Sequence, residues 1–162
     1  MNDLPRSGLG VDMHRLHPGR PCVLGGVKFE SDVGPLAHSD GDAVLHAACD
    51  AVLGAAGLDD IGTLFEDTDP AHESRDSAEF CVETMALVKQ QNLRVWSLDV
   101  VLETERPKLK PMRLAMRQRI AELFEVEVGR VNVKGKTGEK VDAVGRGEAC
   151  RATVVALLGP AP

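Results

Sequence analysis

Two stretches of the chain alternate apolar and polar side chains, which predicts β-strands because successive side chains of a strand point to opposite faces. Residues 7–16, SGLGVDMHRL, predict a first strand that ends at the Pro18-Gly19 turn. Residues 93–103, LRVWSLDVVLE, predict a later strand with one continuous apolar face. This face consists of Trp96, Leu98, Val100 and Leu102.

Three other stretches repeat apolar residues at helical spacing. The first predicted helix begins near Ser39 or Asp40, either of which suits an N-cap, and runs to residues 54–57. The second covers residues 74–91, and the third covers residues 111–126 and is opened by a proline. The predicted inward positions are Val44, Leu45, Ala48, Val52 and Leu53 in the first helix and Phe80, Cys81, Met85 and Val88 in the second.

Shorter segments complete the pattern. Residues 21–29 predict a hairpin around Gly25-Gly26, residues 58–72 a long polar loop, and residues 130–136 and 148–159 the last two strands. Strands and helices alternate without the strict spacing of parallel βαβ units. We therefore predict an α+β fold with a mixed sheet, formed by a single domain of residues 1–162.

Composition narrows the classes of partner. Aromatic residues make up 3% of the 162 residues and the net charge is −6, so neither base stacking nor a basic surface for nucleic acid is expected. A small phosphorylated substrate stays possible because a bound divalent cation reverses the local charge. The four cysteines are far apart, which is typical of reduced thiols, and no run approaches the about 18 apolar residues of a membrane span. The opening MNDLPRSG has no hydrophobic signal core, so we expect a cytoplasmic protein without a membrane partner.

Five polar residues have the spacing of a metal site. Asp12 and His14 are two apart on a predicted strand and share a face, while Asp42, His46 and Asp50 are four apart on a predicted helix and share another. If the two faces meet, Asp12, His14 and His46 supply the three ligands of a catalytic zinc site with one open position. Asp42 and Asp50 would then orient an imidazole or a ligand by hydrogen bonds. Spacing alone leaves open the alternative of an ordinary helix-surface pair and a strand-end aspartate.

Longer motifs point to a known family. They are GVDMHRL, LAHSDGDAVLHAACDAVLGAAGLDDIGTLFEDTDP, RPKLKP and GRGEA, in this order over about residues 8–158. With these motifs the chain resembles the 2-C-methyl-D-erythritol 2,4-cyclodiphosphate synthase family. The resemblance implies a ferredoxin-like or chorismate-mutase-like topology with helices packed on one face of the sheet, assembled as a homotrimer with active sites at the subunit interfaces.

The resemblance also implies an activity in the non-mevalonate pathway of isoprenoid biosynthesis. The substrate is the cytidine diphosphate compound 4-diphosphocytidyl-2-C-methyl-D-erythritol 2-phosphate. Its 2-phosphate attacks the β-phosphorus, closes the ring of 2-C-methyl-D-erythritol 2,4-cyclodiphosphate and expels CMP, so the enzyme is a metal-dependent phosphorus–oxygen lyase. Such a reaction depends mainly on positioning and on electrostatic stabilisation.

Residue roles follow from the same resemblance. It implies one zinc ion per chain on Asp12, His14 and His46, and a magnesium or manganese ion on Glu139. His38 and Thr137 correspond to the catalytic pair that stabilises the transition state. In the trimer, one subunit supplies the zinc side of a site and its neighbour supplies the cytidine loops, residues 104–110 and 136–139. The implied substrate-binding residues are Ser39, Asp60, Ile61, Gly62, Phe65, Asp67, Asp69, Thr104, Arg106, Pro107, Lys108, Lys110, Lys136 and Arg146, the last with Glu148 as its partner.

The chain departs from the family pattern in one loop. In KGKTGEK, Lys136 and Gly138 replace two threonines, and Ala143 stands where an aromatic residue is frequent. Two other functions stay open on the sequence: a zinc-dependent phosphohydrolase that activates water, and a non-catalytic trimer that binds isoprenoid diphosphates.

Overall fold

A five-stranded mixed sheet forms the centre of the fold. The computed structural model of the protein describes residues 4–65 and 75–161. The strands in these residues are β1 Arg6–Pro18, β2 Cys22–Leu24, β3 Val27–Phe29, β4 Val33–Pro35, β5 Leu93–Glu103, β6 Val131–Lys136 and β7 Ala149–Pro160. The sheet has the order β4-β1-β7-β5-β6, in which β5 and β6 are parallel and the other neighbours are antiparallel. The two remaining strands, β2 and β3, form a separate hairpin.

Three long helices and two short ones accompany the sheet. They are α1 Ala43–Ala56, α2 Ile61–Leu64, α3 Ser77–Gln90, α4 Arg113–Leu123 and α5 Asp142–Gly145, and 3-10 turns cover Lys110–Met112 and Val128–Arg130. None of the helices in the described ranges has the length and apolar character needed to cross a bilayer.

Helix α1 lies unusually close to strand β1. Gly8 and Gly10 face the helix, and a Cβ atom on either would come within 1.9 Å of a carbonyl oxygen, that of Ala51 or Ala47. Glycine is therefore required for this approach. The helix is buried on nearly all sides, which explains its many alanines and fixes its side chains relative to the strand.

The opposite face of β1 is exposed. Inward and outward side chains alternate, so Leu9, Val11 and Met13 point away from α1 and are each more than half exposed. Val155 of β7 pairs with Leu9 and is 47% exposed. The sheet therefore presents an uncovered apolar face, Leu9, Val11, Met13 and Val155.

The structure confirms the predicted α+β class with a mixed sheet, the hairpin, the long strands and the three long helices. The long elements follow the order strand, helix, helix, strand, helix, strand, strand once the short ones are set aside. This differs from the strand-helix-strand-strand-helix-strand order of a ferredoxin-like fold. Strand β4 and helices α2 and α5 were not predicted, because three or four residues are too short to show a period. All four cysteines are free and buried.

Two local predictions were wrong. The N-cap of α1 is Asp42, not Ser39 or Asp40, because the Asp42 carboxylate accepts the first backbone N–H groups of the helix. In β5 the register shifts between Val95 and Ser97, so Trp96 leaves the buried face and Val95 takes its place beside Leu98.

Candidate metal centre and substrate cavity

Three side chains from two elements converge between β1 and α1. Asp12 and His14 project from the same face of β1, and His46 projects from the first turns of α1. His14 Nε2 lies 2.8 Å and His46 Nδ1 lies 3.3 Å from Asp12 Oδ2. One nitrogen or oxygen atom from each residue lies within 4.8 Å of the other two, and this is the one such cluster among the residues the structure describes. The sequence-predicted zinc ligands therefore do meet.

The donor set fits a divalent cation. Asp12 Oδ2 and His14 Nε2 are buried from solvent, yet neither makes a directed hydrogen bond, although they are in contact. Buried polar atoms without hydrogen bonds are costly and call for a partner. One carboxylate and two imidazoles are a ligand set typical of zinc, and the three residues would leave one coordination position for substrate.

The charges of the three groups support one another. Burial by itself would raise the pKa of Asp12, but contact with His14 and His46 and their positive charge hold that pKa well below its usual range. Burial would lower the pKa of His46, but the Asp12 carboxylate outweighs it and the pKa is raised. Asp12 thus stays ionised, as a metal ligand must.

The second nitrogen of His46 points to helix α3. His46 Nε2 lies 2.8 Å from Ser77 Oγ and 3.4 Å from Ser39 Oγ. Ser77 Oγ in turn donates a hydrogen bond to Asp40 Oδ1. The sequence did not predict the contacts of Ser77 and Asp40 with His46. A serine near the start of a helix is usually interpreted as a cap, and its partner on another element cannot be inferred from the pattern.

Asp42 and Asp50 both accept hydrogen bonds from backbone N–H groups, and their predicted role of orienting an imidazole or a ligand stays a prediction. Asp42 accepts hydrogen bonds from the N–H groups of Gly25, Gly26, Val44 and Leu45, and so ties the β2–β3 turn to the start of α1. Asp50 accepts from the N–H of Ile61 at 2.8 Å and so holds helix α2 beside the site. None of these five hydrogen bonds goes to an imidazole.

A cavity of about 470 Å³ opens from the three ligands. His38 and Ser39 line it from the segment before α1, four and three residues ahead of the N-cap, and not from the helix N-terminus that the sequence had suggested. Phe80 of α3, which had been predicted only as an inward position, also lines it, with its ring centroid 5.9 Å from that of His46. The predicted site residues in this cavity are Asp12, His14, His38, Ser39, His46, Asp50, Asp60, Ile61, Gly62 and Phe65.

The residues predicted for cytidine line a second, separate cavity of about 180 Å³. Two hydrogen bonds join its loops: Thr104 N–H donates to the Lys136 carbonyl at 2.9 Å, and Gly138 N–H donates to Glu105 Oε1 at 2.8 Å. The predicted residues in it are Thr104, Pro107, Lys108, Lys110, Lys136 and Thr137.

Glu139 lies in an exposed loop, two residues after Thr137, which lines this cavity. Its backbone φ is +50°, and its Oε1 accepts a hydrogen bond from Thr137 Oγ1 at 2.7 Å. Thr137 and Glu139 are thus neighbours, but within one chain they do not line the cavity of His46.

The two predicted arginines are held by carboxylates. Arg106 Nη1 lies 2.6 Å from Asp32 Oδ2, and Arg146 Nε lies 2.9 Å from Glu148 Oε1, its predicted partner. Both arginines line a third cavity of about 580 Å³ beside Met13. Asp67 and Asp69 lie outside the described residues.

Comparison with known proteins gives a consistent family. A model of the YgbB family matches residues 5–159. The chain is 45% identical over 154 residues to the 2-C-methyl-D-erythritol 2,4-cyclodiphosphate synthase of Xanthomonas axonopodis pv. citri (strain 306), covering 95% of this chain and 93% of that one. It is 46% identical over 153 residues to the enzyme of the same name from Geobacillus kaustophilus (strain HTA426), covering 94% and 97%.

A solved structure of 2C-methyl-D-erythritol-2,4-cyclodiphosphate synthase in a CDP-bound form is also similar. It has a TM-score of 0.88 and 42% sequence identity, and the match covers 94% of this chain and 99% of that chain. Because the family model and these relatives span almost the whole chain, the protein belongs to the YgbB family, together with the 2-C-methyl-D-erythritol 2,4-cyclodiphosphate synthases.

Proposed function

We propose that the protein converts 4-diphosphocytidyl-2-C-methyl-D-erythritol 2-phosphate to 2-C-methyl-D-erythritol 2,4-cyclodiphosphate and CMP. An oxygen of the 2-phosphate forms a bond to the β-phosphorus, and the bond from that phosphorus to the bridging oxygen breaks, so CMP leaves with the electron pair. Water is not consumed. The observation that carries the proposal is the convergence of Asp12, His14 and His46 at one cavity, supported by relatives that bear the enzyme's name.

Asp12, His14 and His46 would hold a zinc ion. When bound, the ion supplies positive charge that offsets the repulsion between two phosphates. The chain needs such a cation, because Asp12, Asp50 and Asp60 place carboxylates around a cavity meant for an anionic substrate. The identity of the metal as zinc is inferred from the ligand types.

The cavity residues would fix the methylerythritol part of the substrate. Ile61 and Gly62 present the start of helix α2 to the cavity, held there by the Asp50 carboxylate. His38 is exposed at the rim and can donate a hydrogen bond to a phosphate oxygen as charge develops, together with Thr137 of a neighbouring subunit.

The cytidine end of the substrate would bind the second cavity, and this requires more than one chain. The two cavities share no lining residue within one chain. The CDP in the solved relative is a fragment of the proposed substrate, which supports a cytidine diphosphate site in this fold. Glu139 would hold a magnesium or manganese ion on the diphosphate, since such ions take few protein carboxylates.

We further propose a homotrimer with the sites at its interfaces and a chorismate-mutase-like arrangement of the sheet. The uncovered apolar face supports assembly, because contiguous exposed apolar patches mark interaction surfaces. A trimer packed on this face would bring the zinc side of one subunit to the cytidine side of the next. A cytoplasmic location is consistent with four free thiols.

Phosphorus NMR tests the activity. Purified protein loaded with zinc is mixed with the cytidine diphosphate substrate and magnesium, and the spectrum is followed with time. We expect the signals of CMP and of a cyclic diphosphate to grow in equal amounts. Inorganic phosphate or a linear product would indicate a phosphohydrolase, and tight binding without turnover would indicate a binding protein; either result contradicts the proposal.

A further inference from the structure

A chain of three polar side chains runs from helix α1 away from the metal site. We propose that Asp40 and Ser77 position His46, by fixing its proton on Nε2 so that Nδ1 is free to bind the metal. The inference depends on the metal site proposed above.

Within residues 4–65 and 75–161, the hydroxyl of Ser77 has hydrogen-bond contacts with His46 and Asp40. Ser77 is the first residue of α3 and is fully buried. Its Oγ lies 2.8 Å from His46 Nε2 and donates to Asp40 Oδ1, while its backbone N–H donates to Asp40 Oδ2 at 2.9 Å. The Asp40 carboxylate therefore grips both the side chain and the backbone of Ser77.

The direction of each hydrogen bond follows from counting protons. A hydroxyl has one proton, and an ionised carboxylate can only accept. The Ser77 hydroxyl thus donates its one hydrogen bond to Asp40. Its oxygen therefore presents only lone pairs to His46. Because a lone pair must meet a donor, His46 carries its proton on Nε2, which leaves the lone pair of Nδ1 directed at the ligand cluster.

Two neighbours compete with this arrangement. Asp12 Oδ2 lies 3.3 Å from His46 Nδ1 and favours a proton on that nitrogen, which would block metal binding. Ser39 Oγ lies 3.4 Å from His46 Nε2, too far for a strong hydrogen bond, and it already accepts from the Gly41 N–H at 3.2 Å. Ser77 Oγ, at 2.8 Å from Nε2, is the nearest of the three acceptors and therefore sets the tautomer of a neutral His46 against Asp12.

The chain also fixes the orientation of the ring. Metal-bound histidines typically donate their other N–H to a fixed acceptor, and removal of that acceptor lowers metal affinity about 10- to 100-fold. Here the acceptor is a hydroxyl anchored by a carboxylate, and it joins the start of α3 to α1 across the site.

The test compares three variants of the full-length protein. Ser77→Ala removes the acceptor, and Asp40→Asn allows the hydroxyl to turn its proton toward His46. Asp76→Ala is the matched control: Asp76 is the N-cap of α3, and its carboxylate accepts from the Ala78 N–H. It weakens the same helix end without touching His46. Zinc affinity is measured by competition with a chromophoric chelator, and nitrogen-15 NMR of the metal-free protein, at a pH where His46 is neutral, reports which ring nitrogen is protonated.

We expect Ser77→Ala and Asp40→Asn to lower zinc affinity about 10- to 100-fold. We also expect the proton of neutral His46 to move from Nε2 to Nδ1, toward Asp12. The control should keep the affinity and the tautomer of the unsubstituted protein. An unchanged tautomer in Ser77→Ala, or an equal loss of affinity in Asp76→Ala, would overturn the inference. If the unsubstituted protein binds no zinc, the metal site itself is wrong and the inference fails with it.

Discussion

At the scale of the residue, the central feature is a set of buried polar atoms without hydrogen bonds. Asp12 Oδ2 and His14 Nε2 touch, but neither is satisfied by the other. Their charges attract each other, but a contact without hydrogen-bond geometry leaves each atom short of a directed partner. A cation bound between them would supply that partner, so we expect folding and metal binding to be linked.

We predict that His46→Ala abolishes most zinc binding and catalysis while the fold persists. The imidazole supplies one of three ligands, so its loss should reduce zinc affinity more than about 100-fold, beyond the effect of losing an outer hydrogen bond. Metal analysis of the dialysed protein and circular dichroism measure the two outcomes. His17→Ala is the control, because His17 is exposed at the end of β1 and its ring Nδ1 lies 2.9 Å from the Pro18 carbonyl oxygen, not beside Asp12. One zinc per chain retained in His46→Ala would show that the ligand set is wrong.

We predict that zinc raises the melting temperature more at about pH 8 than at about pH 6. Asp12 raises the pKa of His46, so protonated His46 stabilises the metal-free fold. This stabilisation is complete at a pH below the pKa of His46 in the unfolded chain. It is lost as the pH rises through the higher pKa of His46 in the folded protein. Zinc binds only the deprotonated imidazole, so its affinity for the folded protein increases over the same pH interval. Thermal unfolding with zinc and with chelator at both pH values measures the difference, and a difference that shrinks as pH rises would contradict the assignment.

The residue types of the site were accessible from the sequence, but their partners were not. The strand period places Asp12 and His14 on one face, and the helix period places His46 with Asp42 and Asp50. Periodicity does not say which element lies behind a side chain. Periodicity therefore predicts that Asp42 and Asp50 orient an imidazole or a ligand, and it gives no sign of the backbone N–H groups that they bind.

At the scale of the element, the contact between α1 and β1 decides whether the ligands meet. Gly8 and Gly10 let the helix approach the strand so closely that no side chain fits between them. The sequence predicted both elements within a few residues, since each shows a clear period. It did not predict their separation, because that distance depends on the absence of two side chains across the contact.

We predict that Gly10→Ala both destabilises the protein and weakens zinc binding. The added Cβ would lie 1.9 Å from the Ala47 carbonyl oxygen, so α1 must move away from β1 and carry His46 with it. Overpacking of this kind costs about 1–3 kcal/mol. Denaturant unfolding of the metal-free protein and zinc competition measure the two effects.

Gly54→Ala, also in α1, is the matched control for Gly10→Ala. Apart from the backbone of α1 itself, no atom of the described residues lies within 4 Å of its added Cβ, so we expect a gain of about 0.5–1 kcal/mol and unchanged zinc affinity. Normal zinc affinity in Gly10→Ala would mean that the approach of α1 does not set the site.

At the scale of the whole molecule, one chain separates what the reaction must bring together. The proposed metal ligands line one cavity and the loops predicted to bind cytidine line another, while an apolar sheet face remains uncovered. One arrangement would explain all three features. If the apolar face packs against other copies of the chain, the metal-ligand cavity of one subunit can meet the cytidine cavity of another. The motifs indicated the parts of the site, but no pattern in a single chain reports which copy supplies each part.

We predict that Met13→Glu disrupts the proposed trimer and abolishes turnover while zinc binding persists. Met13 is 53% exposed on the uncovered apolar face, so a carboxylate there is tolerated in a monomer but is costly in a dry interface. Sedimentation velocity gives the mass, zinc competition the affinity, and phosphorus NMR the activity. Val82→Glu, at an apolar position of α3 that is 62% exposed, should leave all three unchanged. Full activity in a monomeric Met13→Glu protein would contradict a shared site.

The most direct measurement is anomalous diffraction at the zinc absorption edge, on crystals grown with zinc and CDP. We predict one strong peak per chain, bonded to an Asp12 oxygen, to His14 Nε2 and to His46 Nδ1, with the cytidine of CDP in the loops of the adjacent subunit. Well-ordered crystals without a peak between these three side chains, or with the zinc on other residues, would contradict the proposed metal centre and the mechanism that depends on it.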